Sequence, residues 1–217
     1  MNLRIFTILY FTISILEIIS GMNHFQTGVY LTKPLIMISM IVFYFLQTRN
    51  HRSFQDKLMI VAFFFSLIGD SFLMLSDTTS FTFGLGSFLI THLIYIFIFS
   101  RNRLKMNILA RISLLAFSIS MLFVLKDNVN DSLLIPVIIY MITITVMAIT
   151  AAERNTNPES YRMVLIGAVL FVLSDSLIAI NEFVNPIPFS TFLIMGTYVL
   201  AQYLICIGFL ERSNTKF

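Results

Sequence analysis

The sequence predicts an all-α integral membrane protein of eight transmembrane helices, with both termini in the cytoplasm. Three observations carry that prediction. Of 217 residues, 58% are hydrophobic and only 12% are charged, and the mean hydropathy is +0.89, whereas soluble domains carry about 25% charged residues. Eight apolar runs have the length of roughly 17–25 residues that a spanning helix needs. Basic residues fall almost entirely on alternate connections, as positive-inside topology requires.

In chain order the runs are Leu3–Ser20, Leu31–Gln47, Leu58–Leu75, Phe81–Ser100, Ile108–Leu125, Leu133–Thr150, Met163–Ile180 and Phe189–Leu210. The first resembles a secretory h-region, but it is longer than about 15 residues and no small-x-small cleavage site follows, so a retained helix is expected. Ser76–Ser80 and Asn181–Pro188 read as tight turns, and Arg49–Lys57 and Arg101–Asn107 as basic loops. The connections are too short to hold a soluble domain, so residues 1–217 are expected to form a single transmembrane domain. Arg4, Arg49, Arg52, Lys57, Arg101, Arg103, Lys105, Arg111, Arg154, Arg162, Arg212 and Lys216 lie on one side, against Lys33 and Lys126 on the other. A split of twelve to two assigns the first side to the cytoplasm. Trp is absent, leaving Tyr, Lys and Arg as interfacial anchors.

Several function classes are excluded. No basic cluster is interleaved with aromatics, so no nucleic-acid partner is expected. The single Cys206 permits neither an internal disulfide nor a cysteine metal cage. One membrane histidine, His92, is too few for the usual zinc hydrolase ligand set. Phosphate-binding loop, nucleophile-elbow and dinucleotide motifs are all missing.

Two charges remain inside the apolar runs and need a reason. Asp70 lies in Gly69-Asp-Ser-Phe-Leu of the third run and Asp175 in Ser174-Asp-Ser-Leu-Ile of the seventh. A carboxylate within a bilayer costs several kcal/mol and is rarely there without a role. The similar settings, 105 residues apart, suggest a paired site and a four-plus-four parallel repeat. Each aspartate has a structural alternative, capping a neighbouring helix or bridging to Lys33. Asp70 and Asp175 each precede the end of their run by five residues, which predicts a matched depth of roughly 7–8 Å. Lys33-Pro34 opens the second run, with Glu17 near the same surface. Gly84, Phe88, His92 and Tyr95 share one face of the fourth run, where Gly84 admits a neighbouring backbone. Tyr140 lies in the sixth run at a depth like that of the aspartates, and Tyr198 and Gln202 share a face of the eighth.

These residues, in this order, resemble the lysoplasmalogenase family of YhhN-like membrane proteins. The matching elements are Lys33-Pro34, Gly69-Asp70 with Leu73, Phe81-x-x-Gly84-Leu85-x-x-Phe88-x-x-x-His92-x-x-Tyr95, Tyr140, Ser174-Asp175-Ser176-Leu177 and Tyr198-x-x-Ala201-Gln202. The resemblance implies hydrolysis of the vinyl ether bond of lysoplasmalogens to a fatty aldehyde and a glycerophospho-base. It implies Asp70 and Asp175 as the catalytic acid–base pair. Lys33, His92, Tyr95, Tyr140, Tyr198 and Gln202 would bind or orient substrate. No cofactor or metal is required, the partners are a lysophospholipid substrate and membrane lipids, and the expected location is a bacterial inner (cell) membrane. Read without the resemblance, buried carboxylates also suit a proton-coupled lipid or small-molecule transporter, or an intramembrane aspartic protease, although the latter's Gly-x-Gly-Asp and Tyr-Asp pair is absent.

Overall fold

The structure, a computed structural model, describes residues 2–75, 77–101 and 105–212. Arg103 and Lys216, both counted in the charge split, and Ser76 of the expected turn lie outside the described residues. Among the described residues there are eight α-helices: α1 (Leu3–Met22), α2 (Gln26–Thr48), α3 (Phe54–Leu73), α4 (Thr78–Ser100), α5 (Ile108–Leu125), α6 (Asp131–Ala152), α7 (Pro158–Phe183) and α8 (Ser190–Glu211). The chain is thus the all-helical polytopic protein that its composition predicts.

Polar side chains set where several helices begin. Asn2, Asn107 and Asn157 accept hydrogen bonds from the Arg4, Ala110 and Ser160 N–H groups, which satisfies donors the first turn leaves open. Pro158 follows Asn157, where its missing N–H costs nothing. Ser53 and Asp56 form a reciprocal capping box at α3.

Seven helices, all but α3, are long and apolar enough to cross a membrane. Every 18-residue stretch of α3 contains Asp56, Lys57 and Asp70. Large apolar side chains cover the outside, with Ile8 and Leu109 largely exposed. Such a surface suits lipid, where every backbone group must be bonded within its own helix.

The helices outrun the hydropathic runs at several ends, because polar residues that lower hydropathy still propagate a helix. The largest consequence is in α2. It starts at Gln26, so Lys33 and Pro34 lie inside it, about two turns in, and do not open it. Pro34 has no N–H to offer the Tyr30 carbonyl, which therefore lacks its intrahelical partner.

The chain divides into two compact units, residues up to Ile98 and residues from Phe99 onward. In the first, α2 packs on α1 and on α3. Phe6 stacks on Phe43 with centroids 3.8 Å apart, and Tyr44 meets Phe63 edge-on. In the second, α7 packs on α6 and most extensively on α8, and α5 rests on α6 and α7. Glycines bring α7 and α8 together. A Cβ at Gly167 would meet the Ala201 carbonyl at 2.9 Å, and one at Gly208 would meet Met163 at 2.6 Å. Lipid gives apolar helices no hydrophobic reason to associate, so small residues that permit close van der Waals packing take over that role.

Candidate active site

Asp70 sits where α3 meets α4. Its neighbour Gly69 lies against the Phe88 ring, so close that a Cβ would fall 2.7 Å from it. Gly84 on α4 answers, facing Leu73 and the Gly69 carbonyl. One turn before Asp70, the Ser66 and Thr91 hydroxyls lie 3.3 Å apart, and Thr91 donates to the Ala62 carbonyl at 3.1 Å. These contacts hold the two helices in register. Asp70 is only 3% exposed, and His92 and Tyr95 are fully buried. The face Gly84–Phe88–His92–Tyr95 is therefore an inward face, as its spacing predicts. On α1, Glu17 is 2% exposed; its Oε2 finds no hydrogen-bond partner among the described residues, and it feels the charge of Lys33 on α2.

Asp175 sits in the second unit, on α7, in different company. Tyr140 of α6 donates its hydroxyl to Asp175 Oδ2. Ser174, the preceding residue, donates to the Ile194 carbonyl of α8 at 3.1 Å. One turn earlier on α7, Phe171 meets the Tyr198 ring edge-on at 5.6 Å and 90°. Gln202 Nε2 donates to the Tyr198 hydroxyl at 3.3 Å, and Gln202 is fully buried. Helix α7 is thus pinned from two sides, by α6 through Tyr140 and by α8 through Ser174 and Gly167.

The predicted residues fall into two groups. Lys33, Asp70, His92 and Tyr95 belong to the first unit; Tyr140, Asp175, Tyr198 and Gln202 belong to the second. The expected equal depth of the aspartates does not carry over to their helices. Asp70 lies three residues before the last residue of α3 and Asp175 eight before that of α7, or roughly 4–5 Å against 12 Å of helix rise. The difference arises because α3 stops at Leu73, while Asn181 and Glu182 extend α7 beyond its apolar run. The sequence reading also missed a buried carboxylate at the start of α3. Asp56 accepts hydrogen bonds from Tyr44 at 2.7 Å and from the Ser53 hydroxyl and N–H at 2.6 and 2.8 Å. Its signal was available in Ser53-x-x-Asp56, and its role is to start α3.

The first unit thus supplies a carboxyl, an imidazole and a phenol, and the second a carboxyl, two phenols and an amide, groups able to transfer a proton, stabilise a cation or orient water. The YhhN family model matches residues 28–209, which includes Lys33, Asp70, His92, Tyr95, Tyr140, Asp175, Tyr198 and Gln202 but not Glu17. The chain is 30% identical over 162 residues to human lysoplasmalogenase TMEM86A and 33% identical over 165 residues to the bovine protein of that name. Each match covers 71% of this chain and 65% of the relative, so the chain spans somewhat less than two thirds of these mammalian proteins. A lysoplasmalogenase of Mycobacterium bovis is 30% identical over 195 residues, 84% of this chain and 72% of that protein. No solved structure matches the chain significantly.

Proposed function

This chain belongs to the YhhN family, and we propose that it is a membrane hydrolase that cleaves the vinyl ether bond of lysoplasmalogens, releasing a fatty aldehyde and a glycerophospho-base. The observation that supports this most is the presence of one membrane-embedded aspartate in each compact unit of a chain similar to proteins named lysoplasmalogenase.

The chemistry follows from the bond. A general acid protonates the β-carbon of the vinyl ether, and the ether oxygen's electrons stabilise the resulting oxocarbenium ion. Water adds to the cationic carbon and loses a proton to a base, and the hemiacetal collapses to aldehyde and alcohol. One carboxylic acid and one carboxylate serve this sequence. We assign Asp70 as the acid, because it is enclosed between α3 and α4. Asp175 is its carboxyl partner, with Oδ2 accepting the Tyr140 hydroxyl. Tyr198 and Gln202 orient water or the ether oxygen, and His92 and Tyr95 line the acid's side. Lys33 binds the substrate phosphate, and Glu17 holds the ammonium in place. The substrate's alkenyl chain enters from lipid, a bacterial inner membrane in which both termini face the cytoplasm. The division into four-helix units near Ile98 supports a four-plus-four repeat.

The test is aldehyde release, read by mass spectrometry. Purified protein in mild detergent is given lysoplasmenyl-ethanolamine, with the saturated-ether analogue as control. Aldehyde should form from the vinyl ether only and vanish in Asp70→Asn and Asp175→Asn. Full activity in either variant sinks the paired-aspartate mechanism, and no aldehyde from folded protein sinks the substrate. Proton-coupled transport keeps one observation in its favour, the Pro34 interruption inside α2. Ion-dependent uptake by vesicles without product would select it.

A further inference from the structure

Adjacent charges after α6 meet opposite fates. Glu153 is buried and fully answered. Arg111 grips it with Nε on Oε1 and Nη2 on Oε2 at 2.8 Å, and the Asn107 N–H donates to Oε1 at 3.1 Å. Arg154, only 3% exposed, has no such answer. Its Nη1 and Nη2 donate to the carbonyl and hydroxyl of Ser160, at 3.4 and 3.3 Å, and both acceptors are neutral. Its guanidinium lies 5.3 Å from the Phe99 ring centroid and 5.7 Å from that of Phe209. Among the described residues, its Nε has no hydrogen-bond partner and no carboxylate pairs with it. Burial, and next the charge of Arg212, lower its pKa to about 10, which leaves it protonated at neutral pH. A buried charge without a counter-charge costs several kcal/mol, so it is seldom retained unless something supplies one.

Arg154 lines an open cleft of about 560 Å³ together with Lys105, Asn107, Asn155, Thr156 and Tyr161. The starts of α5 and α7 border the cleft, through Ile108 and Pro158, and both helices bring the positive ends of their dipoles to it. Neither Glu153 nor Glu159 pairs with Arg154. Glu153 is spent on Arg111, and Glu159 is exposed to solvent in the first turn of α7.

We propose that this cleft binds the phosphate group of an anionic ligand, with Arg154 as its buried counter-charge and Lys105 as its exposed one. The cleft is larger than a phosphate group, so the phosphate's substituent fits as well. The source is either an anionic lipid headgroup, as in basic pockets beside membrane helices, or a soluble phosphate. The proposal is independent of the hydrolytic reading.

Thermal unfolding of the purified full chain tests it in two arms. In neutral detergent, inorganic phosphate is titrated against chloride at equal ionic strength. In phosphatidylcholine nanodiscs, phosphatidylglycerol is titrated, with retained lipid counted by native mass spectrometry. Stabilisation in the first arm identifies a soluble phosphate, and stabilisation in the second alone identifies a headgroup. Lys105→Gln should weaken the effect about fivefold, the worth of one cation near an anionic surface. Arg154→Lys, which keeps the charge and loses the fork, should weaken it too. Lys57→Gln, an exposed cation of the first unit, should not change it. No stabilisation in either arm overturns the proposal. So does stabilisation unchanged by both Lys105→Gln and Arg154→Lys, or weakened equally by Lys57→Gln.

Discussion

Asp70 and Asp175 stand in nearly the same pentapeptide, yet the fold treats them differently. Asp70 is enclosed beside a glycine-mediated helix crossing, with Gly69 and Gly84 drawing α3 and α4 together. Asp175 is half-buried and held by a donor from another helix, Tyr140. Glycine packing surrounds the first carboxyl group, and a hydroxyl from another helix donates to the second. The contrast shows that local sequence chooses the residue, while the neighbouring helices choose its environment.

The largest expected effect removes either carboxyl function. Asp70→Asn and Asp175→Asn should each lower the rate of aldehyde release by about 10²–10⁴-fold, with detergent melting temperatures near that of the parent. Similar losses keep the two as partners in one reaction, and a loss confined to one breaks the comparison.

Next in size are substitutions at the glycine crossings. Gly167→Ala places its methyl 2.9 Å from the Ala201 carbonyl, a backbone atom that cannot rotate away, whereas Gly69→Ala meets the side chain of Phe88 at 2.7 Å. Gly167→Ala should destabilise the protein by about 1–3 kcal/mol, and Gly69→Ala by less if the Phe88 ring yields. Thermal unfolding in detergent ranks them, and the reverse order would show that the α3–α4 crossing is the stiffer one.

Tyr140→Phe isolates the directed hydrogen bond. It should reduce turnover about tenfold, the value of a bond to a charged group, and should add no further loss in an Asp175→Asn background. A full additional loss there would mean that Tyr140 acts on substrate, not through Asp175.

The smallest effect lies outside both aspartate sites and serves as their control. The Arg111 hydrogen bond holds the Glu153 carboxyl below its ordinary pKa of 4.5, helped by the Asn107 N–H against the effect of burial. A depressed carboxyl contributes stability above its unfolded pKa and loses it as pH falls through the folded one. The melting temperature should therefore drop as pH falls below about 4.5, and Glu153→Gln should flatten that part of the profile. An unchanged slope would show that this pair contributes nothing to acid stability.

The sequence revealed more of the second aspartate site than of the clefts around it. Tyr140 and Asp175 were both nominated because polar groups inside apolar runs are conspicuous. That one donates to the other depends on the rotation of α6 about its axis, which its nearly uniform apolar surface does not encode. Asp56 escaped notice because it reads as the end of a basic loop until Tyr44 and Ser53 are seen around it. Arg154 looked like one more positive-inside residue, and only the packing of Phe99, Phe209 and Ser160 shows that it is buried.

By itself the sequence determined that the chain is an all-helical polytopic membrane protein, and which polar residues must be explained. The reason is that lipid forces each helix to satisfy its own backbone, which makes an element readable from one segment alone. Tertiary structure alone decided that Pro34 lies inside α2, that the aspartates differ in their distance from their helix ends, and that Arg154 pairs with no carboxylate among the described residues. Those properties depend on where helices stop and which faces meet, and so on contacts between residues far apart in the chain.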